Sequence, residues 1–251
     1  MSTPTTRPVE LLCGARVLRV DAALCEQSTP RVFWRAFLGH GVPALTVTQT
    51  AHGGGTRLDG PLGTCAFTRE GARLQVQVDA RTGSAELALR LAWYLCAVEQ
   101  GAVLLHACAL RHGERALVAC GQSGDGKSTL SRLGADAGLT LLSDEVVLLF
   151  PDGRVSGTPF RSDLQRPGAP GVVQARYFLA LEKAQDESLT PLTPLDAVQL
   201  ALGQCFELPE VALPRAEVRR RLLAFLGEVT PRTLRFRRDA AAGHFVKRAL
   251  E

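Results

Sequence analysis

The spacing of apolar residues changes character along this chain. Up to about residue 83 they come in short runs broken by turn formers: "RVLRV", "RVFWRAFL", "ALTVTQT", "DGPLG" and "LQVQVDA". Leu74, Val76 and Val78 alternate with polar neighbours, the two-residue period of a strand with one covered face. The stretch predicts a small strand-rich unit. Its "HGGG", starting at His52, reads as a hairpin tip, because no G-x-S-x-G elbow accompanies it. From Ser84 the period lengthens. Leu87, Leu91, Tyr94, Leu95 and Val98 fall on one helical face, with Ser84 placed to cap the start and Gly101 just past the end. Trp93 and Tyr94, at helical spacing, read as core residues of a bridging helix.

Beyond Gly101 the runs "AVLLHACAL" and "RALVAC" flank "RHGE", which predicts an antiparallel hairpin. "VVLLF" and "RVSGT" around "PDG" predict a second one. Hairpins of this kind make the sheet mixed rather than all-parallel. "RPGAPG", from Arg166, reads as a loop. Thr193, Pro194 and Asp196 open a helix carrying Leu195, Val198 and Leu202, and "PRAEVRRRLLAFLG" gives another through Val218, Leu222 and Phe225. "TLRFRR" reads as a late strand before a short terminal helix. The expected organisation is a strand-rich N-terminal domain with its bridging helix over 1–100, then an α/β domain of the α+β kind over 101–251.

Composition narrows the classes. The 251 residues, 46% hydrophobic, suffice for one large or two modest domains. The net charge of +4 is unevenly placed: from Arg215 onward ten Lys/Arg face four Asp/Glu. That bias suits a nucleotide or an acidic peptide, or else a solvated helix face. It lacks an aromatic-interleaved recognition motif, so no nucleic-acid partner is expected. The seven cysteines are scattered without a C-x-x-C pair, which points to neither a zinc site nor a disulfide framework. "MSTPTTRPVELL" has no apolar signal core, and no apolar stretch reaches the roughly 18 residues of a membrane helix. A reduced, cytoplasmic protein with no membrane partner is expected; whether it forms a homo-oligomer stays open.

The densest chemistry lies in "CGQSGDGKSTL", Cys120–Leu130. Gly121, Gly126, Lys127 and Ser128 fit the Walker A pattern G-x-x-x-x-G-K-[ST], after an apolar strand and before a helix that turns Leu130 and Leu133 inward. Such a loop points backbone amides at phosphate oxygens, and the helix N-terminus adds positive potential. The expected nucleotide contacts are Gly121, Gln122, Ser123, Gly124, Asp125, Gly126, Lys127, Ser128 and Thr129. Lys127 reaches the β and γ phosphates, and Ser128 ligates magnesium. A carboxylate aimed into the nest would repel phosphate, so Asp125 is expected to point outward. Downstream, "LTLLSDEVVLLF" places Asp144 and Glu145 between two apolar runs, where a cation is the favoured companion.

The stretch "LLHACALRHGERALVACGQSGDGKSTLSRLGADAGLTLLSDEVVLL" resembles the core of the HPr kinase/phosphorylase family. It is closer to the shorter HPr kinase-like proteins that phosphorylate ribosomally made peptides such as lasso-peptide precursors. The resemblance covers His106 to about Gly157. It implies a phosphoenolpyruvate-carboxykinase-like fold, a mixed sheet containing a P-loop with helices on one side. It implies ATP and Mg2+ as cofactors and a peptide or protein hydroxyl, a serine, as acceptor. His106 then matches a histidine near the transferred phosphate, Asp144 a general base for the acceptor, and Glu145 a magnesium ligand in place of the family's second aspartate. Lys127 completes the catalytic set. The glycine- and arginine-rich segment of the true HPr enzymes is not recognisable downstream, which sets HPr and the reverse phosphorolysis apart. A kinase for a small alcohol and a nucleotide-binding module without transfer activity are the alternatives.

Overall fold

The computed structural model describes residues 7–28, 31–51, 55–79, 83–160, 162 and 164–251; the His52 reading and the first six residues lie outside them. Among the described residues the chain forms two mixed sheets and seven α-helices. None of those helices is long and apolar enough to cross a membrane.

The first sheet contains β1 (Val9–Cys13), β2 (Arg16–Val20), β3 (Pro43–Gln49), β4 (Thr56–Gly60), β5 (Gly63–Glu70) and β6 (Arg73–Val78), in the order β1-β2-β3-β6-β5-β4. The two-residue period holds on β6, where Leu74 and Val76 are buried and Arg73 and Gln75 exposed. One element differs from the strand expectation. β2 and β3 are parallel neighbours, so the chain must cross back between them. That crossover holds two short helices, α1 (Ala22–Ser28) and α2 (Arg31–Arg35), and "RVFWRAFL" is therefore helical at its start.

Helix α3 (Ser84–Glu99) lies between the sheets, against β1, β2, β3, β5 and β6 on one side and the first strand of the second sheet on the other. Burial runs from Ser84 to Ala97 on every face, which its nearly continuous apolar sequence permits. Trp93 and Tyr94 are core residues as expected. Ser84 does not cap the helix. Gly83, at φ +104°, occupies the cap position, and Ser84 Oγ instead accepts from Thr64 N–H and donates to Asp79.

The second sheet comprises β7 (Val103–His106), β8 (Cys108–His112), β9 (Arg115–Cys120), β10 (Thr140–Ser143), β11 (Val146–Leu149), β12 (Arg154–Ser156), β13 (Val172–Lys183), β14 (Ser188–Pro191) and β15 (Thr230–Phe236). The path is β10-β8-β9-β13-β12-β11-β7, with β15 beside β13 and β14 beside β15. Both expected hairpins are present, β8–β9 and β11–β12. β13, parallel to β9 and β15, is the longest strand. The remaining helices are α4 (Lys127–Asp136), α5 (Pro194–Gly203), α6 (Arg215–Glu228) and α7 (Ala240–Leu250). Alternate residues of β8 and β9 pack toward α5 and α6 through Ala197, Val218 and Phe225, and toward α4 and α7 through Leu130, Leu133 and Val246. Helices thus cover both faces, not the single face that the resemblance implies. On α5 the inward face is Ala197 and Ala201, while the expected contacts Leu195 and Leu202 are exposed.

The detail that positions the site is a break in one ladder. "AVLLHACAL" is two strands: β7 pairs with β11 and β8 with β10, both antiparallel. Pairing reaches His106↔Val146 on one side and resumes at Ala109↔Ser143. Ala107 and Cys108 therefore face Asp144 and Glu145 across an opened ladder. The amides of Glu145 and Val146 donate instead to Ser143 Oγ, both at 3.3 Å.

Candidate functional site

The glycine-rich loop leaves β9 at Cys120 and enters α4 at Lys127. Gly126 has φ +110°, and a Cβ there would come within 2.9 Å of Phe236 Cζ on β15. Only glycine meets both demands. No side chain caps α4 and no acid sits in its first turn, so the amide end of the helix keeps its positive potential for an anion. Lys127 Nζ donates to the carbonyls of Gly121 (2.7 Å) and Gln122 (3.2 Å), which holds the ammonium inside the loop. Arg238 Nη2, just past β15, holds the loop through Gly124 O at 2.7 Å.

Asp125 departs from the outward orientation expected of it. It is half-buried, and its Oδ2 folds back to accept the Gln122 N–H at 2.5 Å. The carboxylate thereby closes the loop's first turn and lies against Gly121, where a Cβ would meet Oδ2 at 2.8 Å. This self-capping consumes one amide of the loop and leaves the carboxylate off the cavity lining.

The acids project from the ladder break. Asp144 is 7% exposed. Its Oδ1 accepts from Ser131 Oγ on α4, and its Oδ2 from Ser162 Oγ at 2.6 Å. Both partners are neutral hydroxyls. Glu145 Oε1 accepts from Arg90 Nη1 at 3.1 Å. Arg90, on α3, also donates twice to Glu86 Oε1, at 3.1 and 2.7 Å, and its guanidinium lies 4.8 Å from the Phe160 ring centre. One arginine thus serves two carboxylates, those of Glu86 and Glu145.

A cavity of about 1020 Å³ joins these parts. Ser123, Gly124, Gly126, Lys127, Ser128 and Thr129 form one wall; Asp144, Glu145 and His106 form another. Gly121, Gln122 and Asp125 belong to the loop but do not line the cavity. His106 ends β7, and its ring packs edge-on to Phe206 with centres 5.4 Å apart. Leu62, from the β4–β5 turn of the first sheet, also reaches the cavity. Residues that sequence reasoning missed are Glu86, Arg90, Ser131, Ser162 and Arg238. The signal for the first two was a charged pair four apart within an otherwise apolar helix; nothing local marks Ser162.

Two thiols lie near this loop. Burial, and then the Asp144 charge, push Cys108 up to about 12, and burial raises Cys120 further, so neither offers a thiolate at neutral pH. A magnesium ion fits the residues present. Among the described residues no three His, Cys, Asp or Glu side chains converge to cage a metal. Magnesium does not require that: it takes one or two carboxylates and fills its shell with phosphate and water. Ser128, Asp144 and Glu145 all line the cavity, and a hydroxyl with carboxylates is the oxygen donor set that magnesium takes.

No protein-family model matches the chain, and no curated protein matches it either.

Proposed function

We propose that the chain is an ATP-dependent kinase of the HPr kinase-like type, built on a P-loop sheet, that moves the γ-phosphoryl group to a serine hydroxyl of a peptide or protein. The observation that carries this is the convergence of Lys127 and the uncapped end of α4 with Asp144 and Glu145 on one cavity. Ser131 strengthens it, because the helix that begins in the glycine-rich loop also holds Asp144.

In this reading loop amides and Lys127 bind the phosphates. Asp144 accepts the proton of the acceptor hydroxyl as its oxygen bonds to the γ phosphorus; the bridge to the β phosphate breaks and ADP leaves with that electron pair. Ser128 and Glu145 would hold magnesium, whose chemistry is to offset charge on the phosphate oxygens. His106 stands at the edge of the same cavity as a further polar contact. The cavity size suits a nucleotide with an acceptor side chain beside it. The test is mass spectrometry of peptides encoded beside the gene after incubation with the protein, ATP and magnesium. A phosphoserine that disappears with Lys127→Ala and Asp144→Asn supports the proposal. ATP-dependent labelling of small alcohols with no peptide labelled would replace the acceptor class.

A further inference from the structure

The accessible oxygen of the proposed base already holds a serine hydroxyl. Of the two hydroxyls on Asp144, Ser131 is sealed inside α4 at 0% exposure, whereas Ser162 lines the cavity. Ser162 lies in the connection between β12 and β13. Its hydrogen bonds fix the direction of its hydroxyl. Ser162 Oγ accepts from Leu164 N–H at 3.1 Å and donates to Asp144 Oδ2 at 2.6 Å. A serine oxygen has one hydrogen and two lone pairs, so one lone pair stays unassigned on a group whose proton already faces a carboxylate. Gln165, the next residue of that connection to line the cavity, adopts φ +54° and donates Nε2–H to Ser162 O at 2.8 Å, which fastens the backbone beneath the hydroxyl.

This is the arrangement expected of an acceptor about to react, supplied by the chain itself. Resting on the kinase reading above, we infer that Ser162 is an intramolecular phosphorylation site. Ser162 Oγ bonds to the γ phosphorus of ATP, its proton passes to Asp144, the bond from the γ phosphorus to the bridging oxygen breaks, and ADP departs. The product carries a charge of about −1.5 to −2 next to Asp144. Once Asp144 has released that proton to water, repulsion between the carboxylate and the phosphate drives the modified residue off the base, which frees Asp144 for an external hydroxyl. Self-modification is in this way a step that opens the acceptor position.

The experiment uses the full chain, treated with phosphatase and repurified, then given ATP and magnesium. Intact mass and peptide mapping follow the modification, and calorimetry measures ATP binding on the same sample. The expected result is one phosphoryl group, at Ser162, gained at a rate independent of protein concentration. It is absent in Ser162→Ala and Asp144→Asn and retained in Ser162→Thr, which keeps a hydroxyl. Wild-type protein that binds ATP and labels an added peptide while Ser162 stays bare overturns the inference and leaves the kinase reading intact. A phosphoryl group on another residue alone, or a rate that rises with protein concentration, also overturns it. Protein that binds no ATP overturns both.

Discussion

The loop from Gly121 to Thr129 supplies one wall of the cavity and Asp144, Glu145 and Arg90 supply another, but different forces hold them. The first is local: a turn, three glycines and a helix start, within which Asp125 and Lys127 satisfy the loop's own amide and carbonyls. The second is assembled from distant segments, with Arg90 coming from α3, Ser131 from α4, Ser162 from the β12–β13 connection, and the acids from a ladder that opens between β10 and β11. A local wall presents an anion site cheaply; a composite wall fixes charges where a reaction needs them, at the expense of many long-range contacts. The hydrogen bond from Ser131 to Asp144 is the direct link between the two.

Changes on either wall should separate these roles. The largest effect is expected from Asp144→Asn, which lowers kcat by about 10²–10⁴ while nucleotide affinity, measured by calorimetry, stays near wild type. Equal loss of both would mean that the walls are one structural unit. Arg90→Ala leaves Glu86 buried without a cation and should cost about 3–5 kcal/mol in urea unfolding, whereas a comparable change at exposed Arg57 should cost little. Gly126→Ala forces a side chain into φ +110° against Phe236 and should cost about 1–3 kcal/mol together with nucleotide affinity. Ser131→Ala removes one donor from a buried carboxylate, for about 1–2 kcal/mol of stability. It should lower kcat more than affinity if the link matters.

The smallest effect lies away from both walls. On α6 the guanidiniums of Arg220 and then Arg221 lower the Glu217 carboxyl to about 2. A lowered folded-state pKa means that this contribution is present above the usual glutamate range and is lost as pH falls toward about 2. The Glu217 side chain is half-buried at the surface, so solvent reaches the pair and screens it. Glu217→Gln should remove a shallow acid-side slope from thermal unfolding curves and leave nucleotide binding unchanged. Part of the basic helix is structural, since Arg221 also donates to the carbonyls of Val98 and Ala102 at the end of α3.

What could be read in the sequence follows the same division. The glycine-rich loop, the β8–β9 turn and the Thr193 cap are contiguous patterns whose physics is local, and Thr193 does accept from Asp196 N–H. The α1–α2 crossover was illegible because it answers to the parallel pairing of β2 with β3, a long-range choice. β13 hid behind a bulge between Ala175 and Tyr177, which moves its inward face from Val173 and Ala175 to Phe178. The inward face of α5 went to the small Ala197 and Ala201, and the larger Leu195 and Leu202 were left outside. Asp144 and Glu145 were visible as acids between apolar runs. Their serine and arginine partners were not, since each comes from elsewhere in the chain.

The central claim is that both walls serve a single phosphoryl group. A crystal structure with a non-hydrolysable ATP analogue and magnesium tests it most directly. The account predicts the triphosphate along the Ser123–Thr129 backbone, its γ phosphate contacting Lys127, and Asp144 within one hydroxyl group's reach of the γ phosphorus. A triphosphate bound with its γ phosphate directed away from Asp144 and Glu145, or an analogue seated outside this cavity, would contradict it.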